Sequence, residues 1–150
     1  MSAQASAGKV SLAKARGKAR RLAMQALYQW QMTADDIDGI EKQFLDEAEI
    51  KNADAGYFSE LLLGVSGHIS TIDAALEKHM NRRINEVDPI ERAIMRVATY
   101  EFMNRLDVPY RVVLNEAVTL TKKFCAEKSH TFVNGVLDKV ARDTRTHETT

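Results

Sequence analysis

Apolar residues recur along most of the chain at steps of three and four positions, which is typical of amphipathic α-helices. A first stretch of this kind covers about residues 11–32, and a second covers about residues 36–48. A longer one covers about residues 53–80, where Gly64 and Gly67 indicate a bend or a close helix crossing. No segment alternates apolar and polar residues as a strand bounded by hairpin turns does.

Three further helices are predicted from their starting signals. Asp88-Pro89 followed by Glu91 is a typical helix start, because Asp caps the first turn and Pro has no N–H to lose there. The helix that follows is apolar on more than one face, which predicts a central position. Pro109 precedes a fifth helix, and the last begins near Ser129. The sequence therefore predicts an all-α fold, a compact bundle of six or seven helices.

The length of 150 residues is that of one domain. We expect a disordered tail over residues 1–10, one helical domain over residues 11–143, a polar tail over residues 144–150, and a chain complete at its last residue. The single cysteine, Cys125, excludes an intramolecular disulfide framework. No apolar run has the length of a membrane span, and the basic start lacks the apolar stretch of a secretory signal. A cytoplasmic protein is therefore expected.

The charges balance overall, with 21 Lys and Arg residues against 21 Asp and Glu residues, but they are segregated along the chain. Residues 1–34 contain six cations and no anion, whereas residues 35–60 contain nine carboxylates and two lysines. Such segregation favours a local electrostatic surface for a charged partner. A solvated basic tail ahead of an acidic surface helix explains the pattern equally well.

Groups suited to catalysis or metal binding are not arranged in a functional pattern. The four histidines are scattered, and the sequence has no CxxC, HExxH or Gly-rich phosphate-binding motif. Adjacent Ser129 and His130 point about 100° apart on a helix and do not readily share a proton. Glu86, Asp88 and Glu91 flank a helix start, where capping explains them. We therefore predict a protein that is not an enzyme and has no metal site.

Cations on the first predicted helix favour nucleic-acid binding instead. Lys14, Lys18 and Arg21 follow four- and three-residue steps and so share one face. Arg16 and Arg20 form a second row beside that face. Cations stacked in this way can follow a phosphate backbone, and Arg can also stack on bases.

A second basic cluster lies at the junction of the last two helices and consists of Lys122, Lys123, Lys128 and His130. Phe132 comes one turn after Lys128, at the margin of the apolar stripe of the last helix. An aromatic ring beside cations is typical of surfaces on which the bases of single-stranded RNA stack. A peripheral core position is the alternative interpretation of this ring.

Four segments, in order and at matching spacing, resemble the NusB family of bacterial transcription antitermination factors. They are residues 23–30 (AMQALYQW), 91–101 (ERAIMRVATYE), 108–117 (VPYRVVLNEA) and 132–138 (FVNGVLD). The resemblance extends from about Lys14 to Arg142. It implies a fold of two small helical bundles and a protein that is neither an enzyme nor dependent on a cofactor.

The resemblance also implies a set of binding partners. These are boxA RNA of ribosomal RNA leader transcripts, the small-subunit ribosomal protein NusE as a heterodimeric partner, and an RNA polymerase complex that includes NusA and NusG. A homodimer that masks the RNA surface is physically possible for such a bundle. The RNA sequence preference is not encoded in any local pattern of this chain.

By position, the resemblance assigns RNA contacts to three parts of the chain. The arginine-rich start of the family falls on Arg16, Lys18, Arg20 and Arg21. The aromatic residue that contacts RNA falls on Phe132. Tyr110 and Arg111, at the head of the fifth helix, lie in a region that also approaches RNA.

The acidic position that contacts the protein partner falls on Glu91, with Glu86 close by, although helix capping explains both residues equally well. Three features depart from the family pattern. The basic start is diluted, with Gly17 between Arg16 and Lys18, and a longer tail precedes it. Lys128 stands where some members have an acid, and we expect it to strengthen nonspecific attraction of phosphate and to blunt discrimination between RNAs. Thr99 replaces an apolar residue, and we expect its hydroxyl to bond to the preceding helical turn.

Two other functions compete with RNA binding. The acidic second helix and the region of Glu86 and Glu91 are compatible with a protein-interaction module in which RNA contact is incidental. A NusB-like domain also precedes some ribosomal RNA methyltransferases. Those enzymes need an additional nucleotide-cofactor domain, for which 150 residues leave no room.

Overall fold

The structure, a computed structural model, describes residues 10–149 and is entirely helical in its regular elements over that range. The predicted tail falls on residues 1–9, outside the described residues, and on residue 10. The helices are α1 (Leu12–Thr33), α2 (Ile37–Asp46), α3 (Ala55–Gly67), α4 (Ile69–Glu77), α5 (Pro89–Asn104), α6 (Tyr110–Phe124), α7 (Ser129–Thr144) and α8 (Thr146–Thr149), with short 3₁₀ helices at Ala48–Ile50 and Ile84–Glu86. The all-α prediction is confirmed, with eight α-helices in this range instead of six or seven.

Local capping explains where the helices that carry the predicted sites begin. The Ser11 hydroxyl accepts a hydrogen bond from the backbone N–H of Lys14 at 3.2 Å and starts α1. The Asp88 carboxylate accepts from the N–H of Ile90 at 2.9 Å, and Pro89 follows as the first residue of α5. Each cap satisfies an N–H that the first turn of a helix leaves unpaired.

Helix α5 lies at the centre of the bundle, as its apolar pattern predicts. Helix α1 packs along α3 and α5, while α6 and α7 pack on each other and on α5. Ten consecutive residues of α5, 93–102, are buried. The molecule therefore consists of two groups of helices that share α5, and the candidate site residues are carried by α1, α6 and α7 around it.

The stretch predicted as one helix over residues 53–80 forms two helices, α3 and α4, which are divided at His68. The expectation of a close crossing is confirmed at Gly64, where an added Cβ would lie 2.3 Å from the Tyr100 ring. Gly67 is the last residue of α3. Because the apolar spacing continues through the bend, the pattern alone does not separate the two helices.

The last residues do not form a separate polar tail. Arg145 is 4% exposed, and its guanidinium donates to the carbonyl oxygens of Phe102 at 2.8 Å and Val108 at 2.9 Å. These bonds satisfy backbone oxygens near the end of α5, and α8 follows directly. The expected boundary after residue 143 is therefore not a boundary in packing. Within residues 10–149, no helix combines the length and the hydropathy of a membrane span.

The Thr99 hydroxyl is an exception to the good polar pairing of the core. The residue is fully buried in α5, and its Oγ1 has no hydrogen-bond partner among the described residues. The expected bond to the preceding turn is therefore absent at this position. A buried, unpaired hydroxyl is destabilising, since it loses its bonds to water without replacement.

Candidate nucleic-acid interface

The two rows of cations on α1 have different surroundings. The outer row consists of Lys14, Lys18 and Arg21, with Lys14 exposed at the first turn. Lys18 donates from Nζ to the carbonyl oxygen of Lys51 at 2.7 Å, and Arg21 lies 3.5 Å from the carboxylate of Glu49. Ion pairs this exposed contribute little to stability, so Arg21 can exchange its partner at low cost.

The inner row, Arg16 and Arg20, faces the protein. Arg20 is 4% exposed and forms a two-pronged pair with Glu101, at 2.8 Å from Nε and 2.9 Å from Nη2. A third bond joins Arg20 to Glu116 at 3.0 Å. Arg16 lies 4.6 Å from the centre of the Tyr57 ring. The assignment of Arg20 to RNA is therefore corrected, because burial and three carboxylate bonds remove its guanidinium from any phosphate.

The Arg20 pair is the core of a buried polar network. Burial lowers the pKa of the Arg20 guanidinium, but the hydrogen bonds and charge of Glu101 outweigh burial and leave that pKa above its ordinary value. The Tyr57 hydroxyl also donates to Glu101, and burial together with the Glu101 charge raises the pKa of this phenol. Arg20 is thus a structural residue that joins α1 to α5.

A cleft of about 210 Å³ brings part of the first basic cluster to the second. Lys18 and Arg21 line it from α1, and Lys123 lines it from the last turn of α6. Glu116 and Leu120 lie between them. The structure therefore joins cations that are about a hundred residues apart in the sequence.

The last turn of α6 and the loop before α7 continue this basic surface. Lys122, Lys123 and Lys128 are exposed, and Lys123 lies 5.7 Å from the centre of the Phe124 ring. Within residues 10–149, the ammonium groups of Lys122 and Lys128 have no carboxylate partner. His130 is half-buried and its Nδ1 lies 3.1 Å from the carbonyl oxygen of Glu127. Cations without internal partners are available to phosphates.

The Phe132 ring, in the first turn of α7, is half-buried and packs against the edge of the core. The guanidinium of Arg82 lies over it, 4.6 Å from the ring centre. Sequence reasoning missed Arg82, which lies outside every helical stretch. The available signal was the pair Arg82-Arg83 in the connection ahead of α5.

Tyr110 and Arg111 lie apart from the other predicted RNA contacts. They begin α6, whereas Lys122 is 12 positions later, about 18 Å along the helix axis. The Arg111 guanidinium lies 5.6 Å from the Tyr110 ring centre, and the Tyr110 N–H donates to Glu148 at 3.0 Å. This pair therefore lies beside α8, not at the α6–α7 junction.

The two acidic residues assigned to a protein partner differ in their contacts. Glu86 is exposed and accepts from the N–H of Arg83 at 2.8 Å, which is a local capping bond. Glu91 is half-buried and accepts from the Ser129 hydroxyl at 2.9 Å. Glu91 therefore lies where the first turn of α5 meets the first turn of α7.

Asp88, Glu91 and Cys125 place possible metal-ligand atoms within 4.8 Å of one another. The two carboxylates already accept bonds from backbone N–H groups of α5 and from Ser129, respectively. Burial, together with the charges of Glu91 and Asp88, raises the pKa of the Cys125 thiol to about 11. Because both carboxylates already have partners within the protein, capping and packing explain this cluster.

Comparison with known proteins identifies the family to which these features belong. Residues 17–142 match the NusB family. The transcription antitermination protein NusB of Idiomarina loihiensis is 54% identical over 125 residues, which are 83% of this chain and 90% of that protein. NusB of Yersinia pestis is 49% identical over 131 residues, covering 87% of this chain and 95% of that protein.

Solved structures with the same fold include one complex. A crystal structure of the antitermination factors NusB and NusE with double-stranded RNA matches with a TM-score of 0.79 and 31% identity, covering 87% of this chain and 98% of that one. T. maritima NusB matches with a TM-score of 0.79 and 26% identity, covering 93% and 97%.

Proposed function

Because this chain belongs to the NusB family of transcription antitermination proteins, we propose that it binds single-stranded boxA RNA of ribosomal RNA leader transcripts as a heterodimer with the small-subunit ribosomal protein NusE. By the same resemblance, the heterodimer joins a cytoplasmic RNA polymerase complex that includes NusA and NusG. The protein acts by binding and is not an enzyme.

The observation that supports the RNA-binding surface is the meeting of cations from α1 and α6 in one cleft, with a further cation at the start of α7. Lys18 and Arg21 share a cleft with Lys123, and Lys128 stands at the start of α7. Each phosphate that such cations neutralise on a single strand contributes about 0.7 to the slope of log K against log salt. Most of the affinity is therefore expected to be electrostatic.

A single strand is favoured over a duplex by the position of the Phe132 ring. The ring is half-buried and the exposed Arg82 side chain lies over it, so an unpaired base can stack there once that side chain moves. Bases of an RNA duplex are stacked on one another and closed to such a ring. Backbone cations bind both forms, so the aromatic contact is what distinguishes them.

NusE is proposed as the protein partner because a NusB–NusE complex is among the structures with this fold. Glu91 and Glu86 are the proposed contacts, and both lie near the start of α5. Glu91 is also bonded to Ser129 in the first turn of α7. The partner surface therefore adjoins the proposed RNA surface.

The test is a titration of labelled boxA RNA, single-stranded and as a duplex, with the protein alone and with NusE. Phe132→Ala is expected to weaken single-strand binding by about 1–3 kcal/mol while the helical content stays unchanged. Lys123→Ala is expected to lower the salt slope by about 0.7. Lys42→Ala is the matched control, because Lys42 is exposed on the acidic α2 and pairs with Asp46.

Each result separates the proposal from its alternatives. Loss of thermal stability in Phe132→Ala, without a specific loss of RNA affinity, assigns the ring to the core. If the protein binds NusE but binds no RNA, either alone or with NusE present, the result supports the protein-interaction module instead. Size-exclusion chromatography in the same buffers reports whether a homodimer competes with the heterodimer.

A further inference from the structure

An open groove of about 710 Å³ lies between the first half of α1 and the first half of α6. Both helices pack along α5, but they make few contacts with each other. They approach closely at Gly17, where an added Cβ would lie 3.0 Å from the carboxylate of Glu116. The groove is therefore a space left open between two helices, and a further helix is an element that fits such a space.

The walls of the groove are mainly aliphatic. Leu12 and Ala13 line it from α1, and Val108, Pro109 and Val112 line it from the residues that begin α6 or precede it. Leu12 is 60% exposed and Val112 is 43% exposed, so each side chain has much of its surface in water. Exposed apolar surface that is contiguous in this way is typical of a protein interaction site.

The exposed apolar side chains of the molecule are concentrated at this groove. Seven large apolar side chains are exposed within residues 10–149. Leu12 and Val112 line the groove, and Val10 and Leu106 each stand within two positions of a lining residue. These four side chains favour a partner that covers them with its own apolar residues.

The charges along the groove leave an excess of positive charge. Both of its acidic residues are already paired. Asp107 accepts bonds from Arg105 at 3.0 and 2.9 Å, and Glu116 accepts from Arg20 at 3.0 Å. Lys14 also lines the groove, and its ammonium group has no carboxylate partner in the part of the chain that the structure describes.

Arg111 adds a second cation of this kind. It is exposed and lies one helical turn before Asn115, which lines the groove. Its guanidinium lies 5.6 Å from the Tyr110 ring centre, and none of the described carboxylates pairs with it. The charge that complements the groove is therefore negative.

A protein fits these walls better than RNA does. Both kinds of partner carry negative charge, but unpaired bases stack mainly on aromatic rings. Among the residues that the structure describes, no aromatic ring lines the groove. Aliphatic walls instead pack well against aliphatic side chains, as in proteins that bind an amphipathic helix in a groove.

We propose that the groove binds an acidic amphipathic helix of a further protein partner, with its aliphatic side chains between α1 and α6 and its carboxylates beside Lys14 and Arg111. The lining residues extend from Leu12 to Arg20, about 12 Å along α1, which corresponds to about two turns of the bound helix. Anchors at positions i, i+3 or i+4, and i+7 match that length. The residues proposed to contact NusE do not line this groove.

The probe is a fluorescent helical peptide of about 14 residues, with leucines at positions i, i+3, i+4 and i+7 and glutamates on the other face. A matched peptide has lysine in place of every glutamate. Val112→Glu places a charge inside the groove, and because it lies in the first turn of α6, an acid there suits the helix dipole. Leu63→Glu is the matched control, since Leu63 is an exposed aliphatic residue of α3 that does not line the groove.

The acidic peptide is expected to bind the wild type and Leu63→Glu equally well, and to bind Val112→Glu at least about tenfold more weakly. The lysine peptide is expected to bind the wild type about tenfold more weakly than the acidic peptide does. Lys14→Glu should narrow that difference between the two peptides. Amide shifts in NMR spectra should change mainly at residues 12–20 and 107–116.

Absence of saturable binding up to about 1 mM acidic peptide overturns the proposal. Equal affinity for the two peptides, or equal weakening in Val112→Glu and Leu63→Glu, also contradicts it, because either result indicates nonspecific adhesion. Circular dichroism of each variant is recorded, and Lys14→Glu supplies the decisive comparison where Val112→Glu does not fold.

Two further measurements identify a different occupant. Weaker binding of boxA RNA by Val112→Glu than by Leu63→Glu, with NusE present, assigns the groove to RNA and overturns the proposal. A wild-type dimer that dissociates in Val112→Glu assigns it to a second copy of this chain, with the same consequence. Failure of the wild type to bind boxA RNA contradicts the proposed function and leaves the peptide result standing.

Discussion

The hydroxyl of Ser129 donates a hydrogen bond to the carboxylate of Glu91 over 2.9 Å and ties the first turn of α7 to the first turn of α5. Ser129 directly follows Lys128 of the proposed RNA surface, and Glu91 belongs to the proposed partner surface. If a ligand at one site breaks or strengthens this bond, the ligand also changes the free energy of binding at the other site. Such coupling is reciprocal, so each ligand changes the affinity for the other by the same factor.

Ser129→Ala is therefore expected to change the factor by which NusE raises RNA affinity. Without the hydroxyl, only the protein partner fixes the position of the Glu91 carboxylate. Partner binding at Glu91 then no longer affects the first turn of α7, where RNA is proposed to bind. The measurement is the RNA dissociation constant with and without NusE, in the wild type and the variant. Ser66→Ala is the control, because the Ser66 hydroxyl donates to the Leu63 carbonyl within α3. An unchanged ratio in Ser129→Ala would show that this bond is only structural.

Arg20 and Arg21 are adjacent but are predicted to respond in opposite ways to truncation. Arg20→Ala leaves Glu101 buried and without its main partner, which is expected to cost about 3–5 kcal/mol in the free energy of unfolding. Arg21→Ala removes only an exposed pair with Glu49, worth about 0–1 kcal/mol.

The effect on RNA binding is expected to be the reverse, with a larger change in the Arg21 variant than in the Arg20 variant. Arg21→Ala should lower the slope of RNA affinity against salt by about 0.7, because one phosphate contact is lost. A variant at Arg20 that still folds, such as Arg20→Lys, should keep the wild-type slope. Denaturant titration and RNA binding over a salt series provide the two measurements. A lowered slope in Arg20→Lys would return Arg20 to the RNA surface.

The difference between these two arginines explains how far the sequence predicts the site. Helical spacing correctly divides the cations of α1 into two rows, because that division depends only on local geometry. Which row faces inward depends on Glu101, which lies 81 positions away from Arg20. The family motif includes both rows and so does not distinguish them. Arg82 was missed for the same reason, since its contact with Phe132 joins two separate elements.

The ends of the helices also show which features can be predicted from the sequence. The start of α5 is predictable because Asp88 and Pro89 act on their immediate neighbours. Apolar spacing does not reveal the break at His68, although Gly67, which ends α3, signals a bend there. The role of Gly64 depends on Tyr100 of another helix and is not visible in the sequence. Likewise, the polar residues after α7 resemble a tail in sequence, yet Arg145 finds backbone oxygens at the end of α5. Features that depend on neighbouring residues, such as the start of a helix, can therefore be predicted from this sequence, whereas long-range polar contacts cannot.

Thr99→Val is predicted to stabilise the protein. The Thr99 hydroxyl is buried without a partner, and valine has nearly the same shape without the polar group. Removal of an unpaired hydroxyl is expected to raise the free energy of unfolding by about 1 kcal/mol or slightly more, which is about 2–4 °C in Tm for a chain of this length. Thr121→Val is the control, because the Thr121 hydroxyl donates to the Ala117 carbonyl at 2.7 Å. A loss of stability in Thr99→Val would mean that the hydroxyl has a partner, such as an ordered water.

Cys125 is predicted to react slowly with alkylating reagents at neutral pH. The thiolate is the reactive form, and a pKa of about 11 in place of the ordinary 9.0 reduces the thiolate fraction at pH 8 about a hundredfold. The rate of reaction with iodoacetamide is therefore expected to rise steadily with pH up to about 11 in the folded protein. The urea-unfolded chain supplies the ordinary reactivity for comparison.

Variants of Glu91 and Asp88 distinguish the effect of burial on the Cys125 pKa from the effect of the two carboxylate charges. Glu91→Gln and Asp88→Asn each remove a negative charge near the thiol, so each is expected to lower its pKa and speed alkylation at pH 8. Asparagine caps a helix about as well as aspartate, so Asp88→Asn should leave α5 intact. Reaction rates that do not respond to either variant would assign the slow reaction to burial alone. Protection of the thiol by added Zn²⁺ in the wild type, and its loss in both variants, would instead identify the three residues as a metal site.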